Sequence, residues 1–326
     1  MADWCEHHRF VIVGAGFSGI AAAAKLKRAG ERDLLILERA GRVGGTWRDN
    51  RYPGCACDVP SHLYSLSFAP YTGWSSHYAP QPEILGYLER VVDREGLAPS
   101  IRFNSELTAA SFDEQSRRWL VSAGGRTYSA TYLILAPGPL SDPKLPAIEG
   151  LDRFRGVLFH SARWNHRVPL TGKRVGVIGT GATAVQLIPK LQPLVRELRV
   201  FQRTPGWVLP IHNRPLPRWV RFLLGGCPPL RRALRGWIYL RQEALVGVLL
   251  RRGLGRPVER FALRQLERQV PDPALRAALT PSFPLGCKRI LLSDAYYPAL
   301  CKPNVSLVSD PIVRFEERGV LTRDQV

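Results

Sequence analysis

Two short glycine-rich stretches carry the residue types that hold phosphate groups: GAGFSG at 14–19 and GTGATA at 179–184. Each follows an apolar run and leads into small and apolar residues with helical spacing. In such a strand–turn–helix unit the glycines serve a tight turn, the approach of backbone to a pyrophosphate, and the packing of helix on strand. The free N–H groups and positive dipole end of the helix then face the diphosphate. Gly14, Gly16 and Gly19 fill these positions in the first stretch. In the second, Gly179 and Gly181 fill two of them, Thr183 follows, and Ala184 stands in for the third glycine.

The charged residues that follow set the two loops apart. Glu38 ends the run LLILE and Arg203 ends LRVFQR, each 24 residues after the first glycine of its loop. A carboxylate there accepts ribose hydroxyls, which suits FAD or NAD and repels a 2′-phosphate. An arginine, with Thr204 beside it, suits the 2′-phosphate of NADP through charge-assisted hydrogen bonds. The alternative is that both are exposed strand ends. The two loops together point to FAD plus NADPH, a flavoprotein that takes hydride from a nicotinamide.

The elements needed to position these loops define an α/β chain with two Rossmann-like, dinucleotide-binding domains. The expected division is an FAD-binding portion at 1–145 and an NADP-binding portion at 146–326, with a helical insertion at about 211–280 in the second. A chain of 326 residues is long enough for two cores. The formal net charge is +19. Its densest arginine run, 230–270, has intervening leucines at helical spacing and reads as a helical subdomain with a solvated basic face. A membrane- or nucleic-acid-binding face is the other reading; no RNA-binding or zinc-finger spacing supports nucleic acid. No run approaches the roughly 20 apolar residues of a membrane span, and the first residues lack a signal-peptide pattern. The expectation is a cytoplasmic protein, with peripheral membrane contact left open. Six cysteines are scattered, and Cys55-Ala56-Cys57 has neither zinc nor redox spacing, so free thiols and no metal are expected.

FRGVLFHSARW at 154–164 places Phe154, Gly156, His160 and Trp164 in the pattern F-x-G-x-x-x-H-x-x-x-W. This resembles the signature of Baeyer–Villiger monooxygenases, within the class B flavin monooxygenases; Asn165 stands where that family has proline or aspartate. GGTWRDNRYPGCACDVPSHLYSLSF (44–68) resembles the family's flavin-wrapping segment, which makes Gly45, Thr46 and Trp47 cofactor contacts and Asp58 the active-site aspartate. LILAPGPLSDPKLP (133–146) resembles the exit from the first half of the FAD domain. PLGCKRILLSDAYYPALCKPNVSLV (284–308) resembles the segment with the catalytic arginine, here Arg289, with Lys288 as a further NADP phosphate contact. Without the resemblance, Lys288-Arg289 reads as a solvated basic pair and Asp58 as a turn residue before Val59-Pro60-Ser61.

The resemblance implies an NADPH- and FAD-dependent monooxygenase that uses O2 to insert one oxygen next to a ketone carbonyl through a flavin C4a-peroxide. It gives Arg289 the task of favouring the anionic peroxide and stabilising the oxyanion of the adduct, with Asp58 holding the guanidinium. His160 then couples NADP binding to domain rotation or fixes the path of a linker, and Trp164 packs. Two other readings stand beside this one: an N- or S-oxygenase of amines or sulfides, and a nonenzymatic NADP-binding fragment that associates with a membrane or partner. Members of the family run further, so the chain is expected to be a fragment of a longer product.

Overall fold

The computed structural model describes residues 5–250 and 255–323, which form two compact units. The first takes in the chain up to Arg51, Leu66–Ala69 and Gln81–Pro143. The second takes in Tyr52–Ser65, Pro70–Pro80 and the chain from Lys144 onward. The stretch around Asp58, placed with the first unit in a division at 145, thus groups with the second. The physical reason is its hydrogen bonding, described below.

In the first unit β1 (Glu6–Val13), α1 (Phe17–Arg28) and β2 (Leu34–Leu37) form the opening β–α–β turn. A short helix α2 (Thr46–Asp49) follows; α3 (Ser61–Tyr64) belongs to the second unit. Then come α4 (Gln81–Arg94), β3 (Ile101–Arg102), β4 (Leu107–Asp113), β5 (Arg118–Ala123) and β6 (Arg126–Leu135). The sheet order is β3-β2-β1-β6-β5-β4, parallel from β3 to β6 and antiparallel from β6 to β4. All four residues of β2 are buried, as an uninterrupted apolar run in a parallel sheet requires. Val11, Leu35, Leu37, Val121, Tyr128 and Ala130 build one core cluster.

In the second unit β7 (Arg174–Ile178), α5 (Ala182–Leu191) and β8 (Glu197–Phe201) repeat that plan, and β11 (Val305–Val308) joins β8 to give the parallel order β11-β8-β7. Between β8 and β11 come β9 (Val208–Leu209), α6 (Arg218–Gly226), α7 (Pro228–Leu250), α8 (Arg256–Gln269), α9 (Pro273–Leu279), β10 (Leu291–Leu292) and α10 (Tyr296–Leu300). The hairpin β12 (Ile312–Glu316) and β13 (Gly319–Thr322) follows. Strands β9 and β10 pair in parallel, Val208 opposite Leu291, which carries residues 288–290 back beside 204–207. Trp207 seals this join: it packs with Ala262 of α8 and Leu285, and its indole N–H donates to the Phe283 carbonyl at 2.8 Å. Pro189 lacks the N–H that would bond the Val185 carbonyl within α5. The Ser293 hydroxyl donates to that carbonyl instead, at 3.2 Å, tying α5 to the residue after β10.

Candidate functional site

The register of the two parallel sheets decides where the charged residues sit. Val13 lies opposite Leu37, so Gly14 and Glu38 leave the first sheet side by side, and the Gly14 N–H donates to the Leu37 carbonyl at 2.7 Å. In the second unit Ile178 lies opposite Phe201, and the Gly179 N–H donates to the Phe201 carbonyl at 2.9 Å. The register counterpart of Glu38 is therefore Gln202, which is buried and donates to the Ala278 carbonyl. Arg203 comes one residue later and is exposed. Equal spacing along the chain thus becomes unequal placement in the two sheets.

The first loop is built by mutual backbone contact. A Cβ on Gly14 would meet the Ala136 carbonyl, and φ there is +104°, which favours glycine. A Cβ on Gly19 would run into the Gly14 carbonyl, so helix and turn touch where only hydrogen fits. Gly45 is the partner of Gly16: a Cβ on Gly45 would lie 3.1 Å from the Gly16 Cα, and the Gly44 N–H donates to Ala15 O at 2.9 Å. Thr46 opens α2, and Trp47 is buried with its carbonyl accepting from the Gln81 amide.

Glu38 is 4% exposed, which removes the reading of it as an exposed strand end. Its Oε2 accepts from the Ala15 N–H at 2.8 Å; its Oε1 accepts from the Ala40 N–H at 2.9 Å and from Arg48 Nη1 at 2.8 Å. The carboxylate thus holds the glycine turn. Local spacing does not single out Arg48, although it follows directly on the GGTW stretch.

The second loop opens onto a cavity of about 250 Å³ lined by Thr180, Gly181, Ala182, Thr204, Pro205, Gly206, Lys288, Arg289 and Leu291. Gly181 caps α5 with no side chain on the helix end, and among the described residues no atom beyond the chain neighbours lies within 4 Å of a Cβ built on Gly179 or Gly181. The Thr180 hydroxyl donates to the Thr204 carbonyl at 3.3 Å, joining the loop to the strand end. Lys288 Nζ stands 4.6 Å from the Phe283 ring centroid. Neither Arg203 nor Thr183 is among the lining residues.

Arg289 and Asp58 meet, Nη2 to Oδ2, at 2.5 Å, although 231 residues separate them. The carboxylate side chain is 21% exposed and the guanidinium side chain 65%. Gln186 of α5 fixes the segment leading to Asp58. Its Oε1 accepts from the Tyr52 hydroxyl at 2.9 Å and the Ala56 N–H at 3.3 Å, and its Nε2 donates to the Ala56 carbonyl at 3.0 Å. Burial pushes the Tyr52 phenol up, so it remains a donor. Gly54, at φ +85°, lies under the Gln186 carbonyl, where a Cβ would come to 2.7 Å. The Gln186→Leu variant is expected to lose about 2–3 kcal/mol of stability, since three bonds go and their partners stay partly buried. Gln186→Glu keeps the two acceptor contacts but sets a carboxylate oxygen against the Ala56 carbonyl, so it too is expected to be less stable than the parent, and urea unfolding of both variants checks this.

Burial also pushes the Cys55 and Cys57 thiols up, to about 11 and about 12, so both stay protonated near neutral pH. All six cysteines are free.

The 154–164 stretch has a packing logic of its own. Phe154 meets Phe315 edge-on, with centroids 5.7 Å apart, and its ring folds over Gly156, where a Cβ would collide with it. His160 Nδ1 accepts from the Ala162 N–H at 3.0 Å and so caps the short 3-10 helix Ser161–Arg163. Trp164 stands edge-on to Phe159 at 5.1 Å. None of these four residues lines the cavity.

The chain carries two glycine-turn β–α–β units, and the sequence profile of the family described as "Pyridine nucleotide-disulphide oxidoreductase" matches residues 11–209. A "Baeyer-Villiger monooxygenase" of Streptomyces coelicolor is 49% identical over 306 residues, 93% of this chain and 59% of that protein. Among solved structures, "Oxidized steroid monooxygenase bound to NADP" superposes with a TM-score of 0.87 at 37% identity, over 97% of this chain and 68% of that one. "Crystal Structure of OTEMO complex with FAD and NADP (form 2)" gives 0.88 at 32%, over 98% and 68%. The chain belongs to the Baeyer–Villiger monooxygenase family. It spans about six-tenths of the length of the curated relatives it matches.

Proposed function

We propose that this chain supplies the nucleotide-binding units of an NADPH- and FAD-dependent Baeyer–Villiger monooxygenase, which converts a ketone and O2 to an ester or lactone. The observation that carries the reading is the Asp58–Arg289 pair at the edge of the cavity formed by the second glycine loop, Thr204 and Lys288. The relatives' FAD and NADP complexes support the same cofactors here.

The residues present fit both groups. At the first loop, Gly14, Gly16 and Gly19 keep the backbone bare at the start of α1, and Glu38 provides the acidic strand end. At the second, the open space beside Gly179 and Gly181 admits a diphosphate. Lys288 and the nearby Arg203 supply the positive charge that a 2′-phosphate calls for. Bound FAD supplies oxygen activation and bound NADPH the reducing hydride. The chain's own part is electrostatic. Arg289 offers a guanidinium with donors in a fixed fork, so it stabilises negative charge forming on a neighbouring oxygen. Asp58 keeps the guanidinium from turning away, and Gln186 keeps Asp58 in reach.

The test is oxygenation of a cyclic ketone by the FAD-loaded protein, following lactone, NADPH and O2 together. Lactone formed in step with both reagents is the expected result. Oxidation of an amine or sulfide with no lactone from the ketone would reassign the protein to N- or S-oxygenation. NADP binding with no flavin retained would assign the oxygenation to sequence beyond this chain.

A further inference from the structure

Helices α6 and α7 carry an apolar stripe turned away from their own packing. On α6, Trp219 and Phe222 are 68% and 85% exposed, and Leu223 is exposed beside them. On α7, Leu230, Ala233, Trp237, Leu240 and Ala244 recur at steps of three and four, all exposed, with Trp237 at 60% and Leu240 at 67%. The opposite faces do the seating. Leu224 and Ile238 are buried, and Arg235 Nη1 donates to the carbonyls of His62 and Ser65 at 2.7 and 2.9 Å. The outer stripe is therefore not among the contacts that seat the two helices.

Its charge says what it fits. Between Arg218 and Gly247 there are six arginines, at 218, 221, 231, 232, 235 and 241, against one acidic residue, Glu243. Arg218, Arg232 and Arg241 are exposed, and the Arg241 guanidinium lies 5.3 Å from the Trp237 ring centroid. Tryptophan and phenylalanine bordered by arginine match a membrane–water interface, where rings sit at headgroup level and guanidinia meet phosphates. A second copy of the same face would instead bring like charges together. Among the described residues no helix is long and apolar enough to cross a membrane, so such a face lies on the surface rather than spanning it.

We propose that α6 and α7 form a monotopic docking face for a lipid surface with anionic headgroups. The face shares no residue with the cavity lining, and the proposal stands independently of the oxygenation reading.

Sedimentation of the 326-residue chain with vesicles tests it, using phosphatidylcholine alone and phosphatidylcholine mixed with phosphatidylglycerol. Binding to the mixed vesicles is expected to exceed binding to the neutral ones by tenfold or more. It is expected to weaken between about 0.1 M and about 1 M salt, as the Debye length falls from about 10 to about 3 Å. The exposed pair Phe222→Asp and Leu240→Asp is expected to abolish pelleting with Tm unchanged. Arg218→Gln with Arg232→Gln is expected to weaken it by roughly fivefold per arginine. Absence of pelleting by the parent overturns the proposal, as does equal binding to both vesicle types or full binding by the aspartate variant. A parent that elutes as a dimer, and as a monomer once Phe222 is changed, overturns it in favour of a second copy.

Discussion

Arg289→Ala is expected to lower ketone oxygenation by about 10²–10³-fold while leaving the melting temperature almost unchanged. The two halves of this expectation have different causes. The guanidinium side chain is 65% exposed, and an ion pair in that setting contributes only about 0–1 kcal/mol to stability. The same group beside a reacting oxygen is a preorganised donor, and losing one such donor costs on the order of 3 kcal/mol of barrier. Arg289→Lys keeps the charge but not the planar fork that Asp58 engages, so it is expected to recover only part of the rate. Turnover and thermal melts on the same preparations decide the matter. An Arg289→Ala protein with parental turnover would remove Arg289 from the chemistry and leave it a surface cation.

The second large effect separates two glycines of one loop. Gly19→Ala is expected to destabilise the first unit by about 1–3 kcal/mol, because its Cβ would occupy the Gly14 carbonyl and the helix must move off the turn. Thermal melting reads this as a drop of several degrees. Gly16→Ala is expected to melt as the parent does, since its φ is −87° and its Cβ would lie 3.7 Å from the nearest atom, the Gly45 Cα. The Gly16 methyl would instead stand in the path of a diphosphate, so the loss falls on FAD retention after desalting. A Gly19→Ala protein with parental Tm would contradict the close contact described here, and a Gly16→Ala protein that retains FAD fully would place the diphosphate elsewhere.

Much of the site was legible in the linear order of residues because its determinants are local. A turn that needs bare backbone needs glycine at set steps, and a strand of four buried residues needs an uninterrupted apolar run. Both loops and the acidic residue ending β2 could be read on those grounds, as could helical spacing in the arginine-rich stretch, where α7 and α8 lie. The pairings across long stretches of chain were not legible. Nothing in the local pattern joins Gln186 to Ala56 or sets Gly45 against Gly16.

Near-neighbour residues were enough to specify two nucleotide-type turns and the difference in their partner charges, since turn, strand and helix formation depend on near neighbours. Tertiary structure alone decided how those charges are used. A parallel register one residue shorter in the second unit sets Gln202, not Arg203, opposite the position of Glu38, because register follows from which strands pack and not from spacing. Pairing of β9 with β10 brought Lys288 and Arg289 to the second loop, and the hold of Gln186 on Tyr52 and Ala56 brought Asp58 to Arg289. A contact between residues 231 positions apart exists only once the chain has closed around its cores, where burial and hydrogen bonding leave one arrangement favoured.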